Sequence, residues 1–193
     1  MSDDVGARTS SPHRGWHERG YLPHFDGGAV VQTVTFRLAD SLPREIYEKA
    51  AAIASNAPEK FFLLEKGIDQ GLGGCALTVP ANASILRAAL EYFDGERYRL
   101  LAWTIMPNHV HVMIEQVSGH SLSSIVHSWK SYTSNRINKR AQKRLWAPEY
   151  FDRYVRDEAH YANAKFYIEN NPVKARLAEK PEDWPYSSAS KQK

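Results

Sequence analysis

The sequence predicts an α+β fold: a ferredoxin-like antiparallel sheet with helices on one face and a C-terminal helical extension. Two observations carry that expectation. Apolar positions switch between a period of two and one near 3.6 in the order strand, helix, insert, helix, strand, strand, helix. Two of the strand patterns, Tyr98–Met106 and His109–Glu115, are separated only by Pro107-Asn108, which reads as a tight turn.

The 193 residues suffice for one domain with its own core. Residues 1–19 carry Ser, Gly and Arg and little to bury, and they read as a flexible N-terminal arm; residues 20–193 read as a single domain. In order along that domain, Val30–Leu38 alternates as a strand, with Val34, Phe36 and Leu38 on one face and Thr33, Thr35 and Arg37 on the other. A helix follows from Asp40–Pro43 through Ile46, Ala50 and Ile53. Residues 59–79 fit either helix or loop, and Gly71-x-Gly73 reads as a loop rather than a nucleotide-binding turn, because no strand feeds it. Ile85, Leu86, Ala89, Leu90 and Phe93 mark a helix that Asp94-Gly95 ends. After the two strands, a long helix is expected from Val117 to about Arg144. Another covers Asp157–Asn170, stopped by Asn171-Pro172.

Composition excludes several classes. A lone Cys75 rules out a disulfide framework or a cysteine-based zinc finger and suits a reducing cytoplasm. No apolar run approaches the roughly 18–20 residues of a membrane span, and the N-terminal stretch lacks the apolar centre of a signal peptide. A cytoplasmic protein with no membrane partner and no nucleotide cofactor is therefore expected. The net charge of +3 matters less than its distribution. Between Val117 and Pro148 there is no Asp or Glu, although the chain has 22 acids. The same span holds Lys130, Arg136, Lys139, Arg140, Lys143 and Arg144. An uninterrupted basic helix suits a phosphate backbone, and Trp129 within it offers a ring for stacking on an unpaired base. The bland alternative is a solvated lysine face.

Two further features concern chemistry. On the strand after Asn108, His109 and His111 share one face and can hold one divalent ion with open positions for oxygen ligands; otherwise they are surface imidazoles. On the basic helix, Leu122, Ile125, Val126 and Trp129 form a buried stripe, and Tyr132 continues it. Its phenol is either a plain stripe aromatic or an anchored ring with its oxygen turned to a site.

Taken together, Pro107-Asn-His-Val-His111 and the tyrosine-bearing Ser128-Trp-Lys-Ser-Tyr-Thr133 resemble the HUH single-tyrosine transposases, and more closely the REP-associated tyrosine transposases. Glu149-Tyr-Phe-Asp-Arg-Tyr154, Tyr167-Ile-Glu-Asn-Asn-Pro-Val-Lys-Ala175 and Pro181-Glu-Asp-Trp-Pro-Tyr-Ser-Ser188 agree. The resemblance implies a metal-dependent enzyme that nicks and rejoins single-stranded DNA beside REP-type hairpins through a 5′-phosphotyrosine link. It implies Mg2+ or Mn2+ on His109 and His111, with Tyr132 as nucleophile and Tyr150 and Tyr154 as rivals. Such enzymes use an amide one helical turn after the tyrosine as third ligand. The i+4 position here is Arg136, so Asn135 is the candidate and Asn138 the fallback. Lys130, Arg136 and Lys139 would position the backbone, with Arg8, Arg14 and Arg19 of the arm reading flanking bases. A homodimer is left open. The alternatives are a non-cleaving DNA-binding protein of the same fold and a nuclease that uses water.

Overall fold

The computed structural model describes residues 15–18, 23–26, 30–53, 58–138 and 143–191. The main sheet has four antiparallel strands: β3 (Val31–Arg37), β4 (Tyr98–Ile105), β5 (His109–Gln116) and β6 (Phe151–Tyr154), in the order β4-β5-β3-β6. With α1 (Arg44–Ala51), α2 (Pro58–Ile68) and α3 (Pro80–Glu91) between β3 and β4, and α4 (Leu122–Ile137) between β5 and β6, this is the expected β-α-β-β-α-β order. The β4–β5 hairpin closes through Pro107-Asn108, with the Met106 N–H donating to the His109 carbonyl at 2.9 Å.

The predicted alternation of β3 fixes the two faces. Val34 pairs with Val112 and Phe36 with Val110, so these side chains face one way. Leu86 and Leu90 of α3 and Ile125, Val126 and Trp129 of α4 pack over them in the main core. Its polar atoms are satisfied in series: the Trp129 indole donates to the Tyr98 hydroxyl at 2.9 Å, which donates to the Leu90 carbonyl at 2.6 Å. The reverse face carries Thr35, His109, His111, Met113, Ala102 and Thr104. It is covered by the C-terminal extension, α5 (Glu158–Lys174), whose Ile168 packs on Ala102 and Met113. At the β6 edge, Leu64 and Ile68 of α2 join Ala50 and Phe151. The other edge, β4, is covered by residues 184–188: Ile105 N–H donates to the Tyr186 carbonyl and Ser188 N–H to that of Trp103.

Three expectations are corrected. Residues 15–18, assigned to the arm, form β1 (Gly15–Glu18), which pairs with β2 (Pro23–Asp26); residues 1–14 and Arg19 lie outside the described residues. The helix expected over 117–144 is shorter. The Ser121 side chain caps α4 by accepting from Ser124 N–H, after a turn that needs Gly119 at φ +93°, and the helix ends at Asn138. Conversely, α5 does not stop at Asn171-Pro172. It begins on an Asp157 cap and runs through Pro172 to Lys174. A proline costs a helix interior about 3 kcal/mol. Here it lies in the last turn, and the helix still closes behind it, Ala175 N–H donating to the Asn171 carbonyl at 2.9 Å.

Candidate metal and nucleophile centre

His109 and His111 come together because β5 alternates. Both are buried, and their Nε2 atoms lie 3.0 Å apart. Each ring is held from behind. The His109 Nδ1 is 2.7 Å from the Asn108 side-chain oxygen, and the His111 Nδ1 is 2.8 Å from the Thr35 hydroxyl. The Asn108 amide donates to the carbonyls of Ile68 and Leu72, which leaves its oxygen to accept the His109 Nδ1–H. That tautomer turns a bare Nε2 lone pair toward His111. The His111 Nε2 faces it at 3.0 Å, a separation that one proton or one cation between the two nitrogens satisfies. Burial, opposed by the Asp69 carboxylate and aided by the Lys174 ammonium, pulls His111 down to about 4; burial and the neighbouring His111 hold His109 well below the ordinary imidazole value. Both rings are therefore neutral near pH 7, the form that ligates metal.

Two further side chains stand beside the imidazoles. The Asn108 amide pins the end of α2 and so brings in Asp69, whose carboxylate lies 3.9 Å from the His109 Nε2. Ligand atoms of Asp69, His109 and His111 all fall within 4.8 Å of one another. From α5, the Asn171 side-chain amide is 3.2 Å from the His111 Nε2 and is buried. Two imidazoles and a carboxylate within reach of one point, with the Asn171 carboxamide beside them, suit a divalent ion of the Mg2+ or Mn2+ type with positions left open.

One helical turn before Asn171 stands Tyr167, its ring edge-on to His111 at 5.5 Å between centroids. Its hydroxyl is buried, beside the Asn171 side chain. Burial foremost, then the negative charges of Glu65 and Asp69, push its pKa above the ordinary phenol value. Lys174, a further two turns along α5, lies 5.3 Å from the Tyr167 ring and 2.7 Å from the second oxygen of Asp69.

The other predicted residues fall elsewhere. Tyr132 is on α4, the helix that covers the opposite face of the sheet, and it is 43% exposed on that helix's outer side. It cannot reach the histidines through the sheet. The reason is the register: His109 and His111 point away from the face that Val110 and Val112 build against α4. Asn135 follows Tyr132 out. With Asn138, Lys143 and Arg144 it lines a groove of about 610 Å³ between α4 and residues 143–148, remote from both imidazoles. Tyr150 is buried in the α4-side core. Trp129 is 1% exposed and committed to Tyr98, so it cannot stack on a base. The Lys130 ammonium donates to the carbonyls of Ala147, Pro148 and Glu149 and so fastens that loop. Arg136 is exposed, its guanidinium 5.1 Å from the Tyr132 ring. Lys143 and Arg144 are exposed too, while Lys139 and Arg140 lie outside the described residues.

Sequence reasoning missed Asp69, Tyr167, Asn171 and Lys174. Tyr167 and Asn171 had a visible signal, a tyrosine and an amide at i and i+4 inside the segment 167–175. Asp69 had none, because only the fold brings it to the histidines.

Residues 78–171 match the family model described as "Transposase IS200 like", a span that contains both histidines, Tyr167 and Asn171. The chain is 26% identical over 105 residues to the REP-associated tyrosine transposase of Escherichia coli (strain K12), covering 54% of this chain and 62% of that protein. It is 28% identical over 103 residues to a protein of Haemophilus influenzae named "Putative REP-associated tyrosine transposase", covering 47% of this chain and 58% of that one. A solved structure titled "Structure of the REP associates tyrosine transposase bound to a REP hairpin" matches in fold with a TM-score of 0.59. The two are 20% identical, over 89% of this chain and 81% of that one. Over residues 78–171, just under half of its length, the chain is thus similar to the IS200-like transposases. It is likewise similar to the REP-associated tyrosine transposases, although it spans less than two thirds of the length of the two curated relatives.

Proposed function

We propose that this protein cuts and rejoins single-stranded DNA beside a hairpin through a covalent 5′-phosphotyrosine link, with Tyr167 as the attacking group. The observation that carries the reading is the convergence of Tyr167, Asn171, His109, His111 and Asp69 within one chain, on one face of the sheet. It revises the nucleophile from Tyr132 to Tyr167 and the third ligand from Asn135 to Asn171 or Asp69. The amide now stands at the i+4 spacing that the family resemblance calls for.

His109, His111 and Asp69 would hold the divalent ion, with Asn171 beside them. When bound, the ion polarises the scissile phosphate and steadies charge on the leaving oxygen. The Tyr167 oxygen attacks phosphorus, the phenolic proton is lost, and the strand leaves with a free 3′-hydroxyl. The bond energy is kept in the phosphotyrosine, so rejoining needs no nucleotide cofactor. Asn108 and Thr35 keep the imidazoles in place from behind. Lys174 holds one oxygen of Asp69 and lies against the Tyr167 ring, and because burial raises the phenol, forming its phenolate would draw on the positive charge of a bound ion. Lys143, Arg144 and Arg136 would carry the duplex or flanking strand by phosphate contacts, and a second copy of the chain is not needed to complete the centre.

The test is to incubate the protein with Mn2+ and a labelled single strand flanked by a hairpin, then denature. A slower-migrating labelled protein band is expected, absent with EDTA and in Tyr167→Phe. Cleaved DNA without attached protein would replace this reading by a water-using nuclease. Binding with no cleavage at all would replace it by a DNA-binding protein of the same fold.

A further inference from the structure

Beside the metal centre, between β3, β6 and α5, lies a recess of about 270 Å³ that shares His111 and Tyr167 with it. A recess of this size, open on one side, admits a single nucleobase. Its floor is apolar: Phe151, Ala164 and Ile168 offer a surface for the face of a ring. Its polar groups are mixed in kind. Asn163 is exposed on α5 and presents both a donor and an acceptor. Glu65 enters from α2, and Thr33 has its hydroxyl hydrogen directed to the Arg153 carbonyl at 3.3 Å, leaving lone pairs free to accept. His160 accepts the Arg156 N–H on Nδ1, which leaves its Nε2–H as a donor.

We propose that this recess takes one nucleobase of the cleaved strand, next to the scissile phosphate, and reads its edge through Glu65 and Asn163. The proposal rests on the cutting reading above and extends it to sequence choice. A phosphate subsite would consist of donors alone. A carboxyl and a carboxamide facing the same small space instead match the alternating donors and acceptors of a base edge. Arg153, exposed at the rim, is left for the adjoining phosphate. Burial raises the Glu65 carboxyl above its ordinary value against the pull of Arg153.

The test uses binding as well as cutting. Tyr167→Phe protein is titrated by fluorescence anisotropy with hairpin-flanked single strands carrying each of the four bases at either position beside the cut. A preference of about ten-fold for one base at one position is expected, the size of one good edge contact. It should flatten in Tyr167→Phe/Asn163→Ala and change rank in Tyr167→Phe/Glu65→Gln, with circular dichroism unchanged. The same ranking in all three proteins, or no ranking in any, would overturn the proposal. Absence of a covalent adduct from the wild-type protein would instead strike the cutting reading, and the binding ranks would still decide the recess.

Discussion

Helices α4 and α5 lie on opposite faces of one sheet, and each carries a tyrosine with a cationic neighbour at its ring. Tyr132 has Arg136 at 5.1 Å and Tyr167 has Lys174 at 5.3 Å. In sequence, α4 is the more persuasive, with its apolar stripe, its uninterrupted positive charge and its place just after the histidines. In space, α4 spends that stripe on the main core and turns Tyr132 to solvent. The helix α5 brings Tyr167, Asn171 and Lys174 onto the face that holds His109, His111 and Asp69. The difference teaches that what a side chain can act on is set by the sheet face it reaches, not by its distance along the chain from the histidines.

The sharpest way to break this comparison is to remove each phenol in turn. Tyr167→Phe should lower covalent adduct formation by a factor on the order of 10³ or more, whereas Tyr132→Phe should leave its rate within about two-fold. Single-turnover gel assays read both. Next in size, Thr35→Val and Asn108→Ala should weaken Mn2+ binding by about 10- to 100-fold, because each loosens an imidazole from behind. Isothermal titration with Mn2+ measures this, and Asn135→Ala, on the α4 side, should have no such effect.

Acid separates the two faces more gently. The folded-state pKa of His111 is depressed to about 4 and that of His109 is held well below its ordinary value, while unfolded histidines protonate near 6.5. Between those values the unfolded chain binds more protons, so stability falls as pH falls through that window. Thermal unfolding should show it, with a shallower dependence in His111→Gln. The smallest effect belongs to the α4 groove. Arg144→Ala should reduce the slope of log binding constant against log salt by about 1 while leaving base preference alone, as anisotropy at several salt concentrations would read.

Much of the fold was legible because it rests on short-range pattern. The alternation of β3, the Pro107-Asn108 turn and the apolar helix spacings sufficed for the sheet and for the shared face of the histidines. The rest of the centre was not legible for three physical reasons. Pro172 reads as a helix stop, yet α5 carries it in its last turn, which hid Asn171 and Lys174 as helical neighbours of Tyr167. Asp69 belongs to a stretch whose pattern fits helix and loop equally, and it reaches His109 only because Asn108 ties down the end of α2. Charge patterning also cannot separate a cation that meets solvent from one that is spent inside. Lys130 looks like part of the basic face but is turned inward onto three carbonyls.

The most direct check is to digest the denatured protein–DNA adduct with nuclease and trypsin and find the nucleotide-bearing peptide by mass spectrometry. The nucleotide mass is expected on Phe166–Lys174, at Tyr167. Its appearance on Ser131–Arg136, at Tyr132, would contradict the assignment of the reacting phenol to α5.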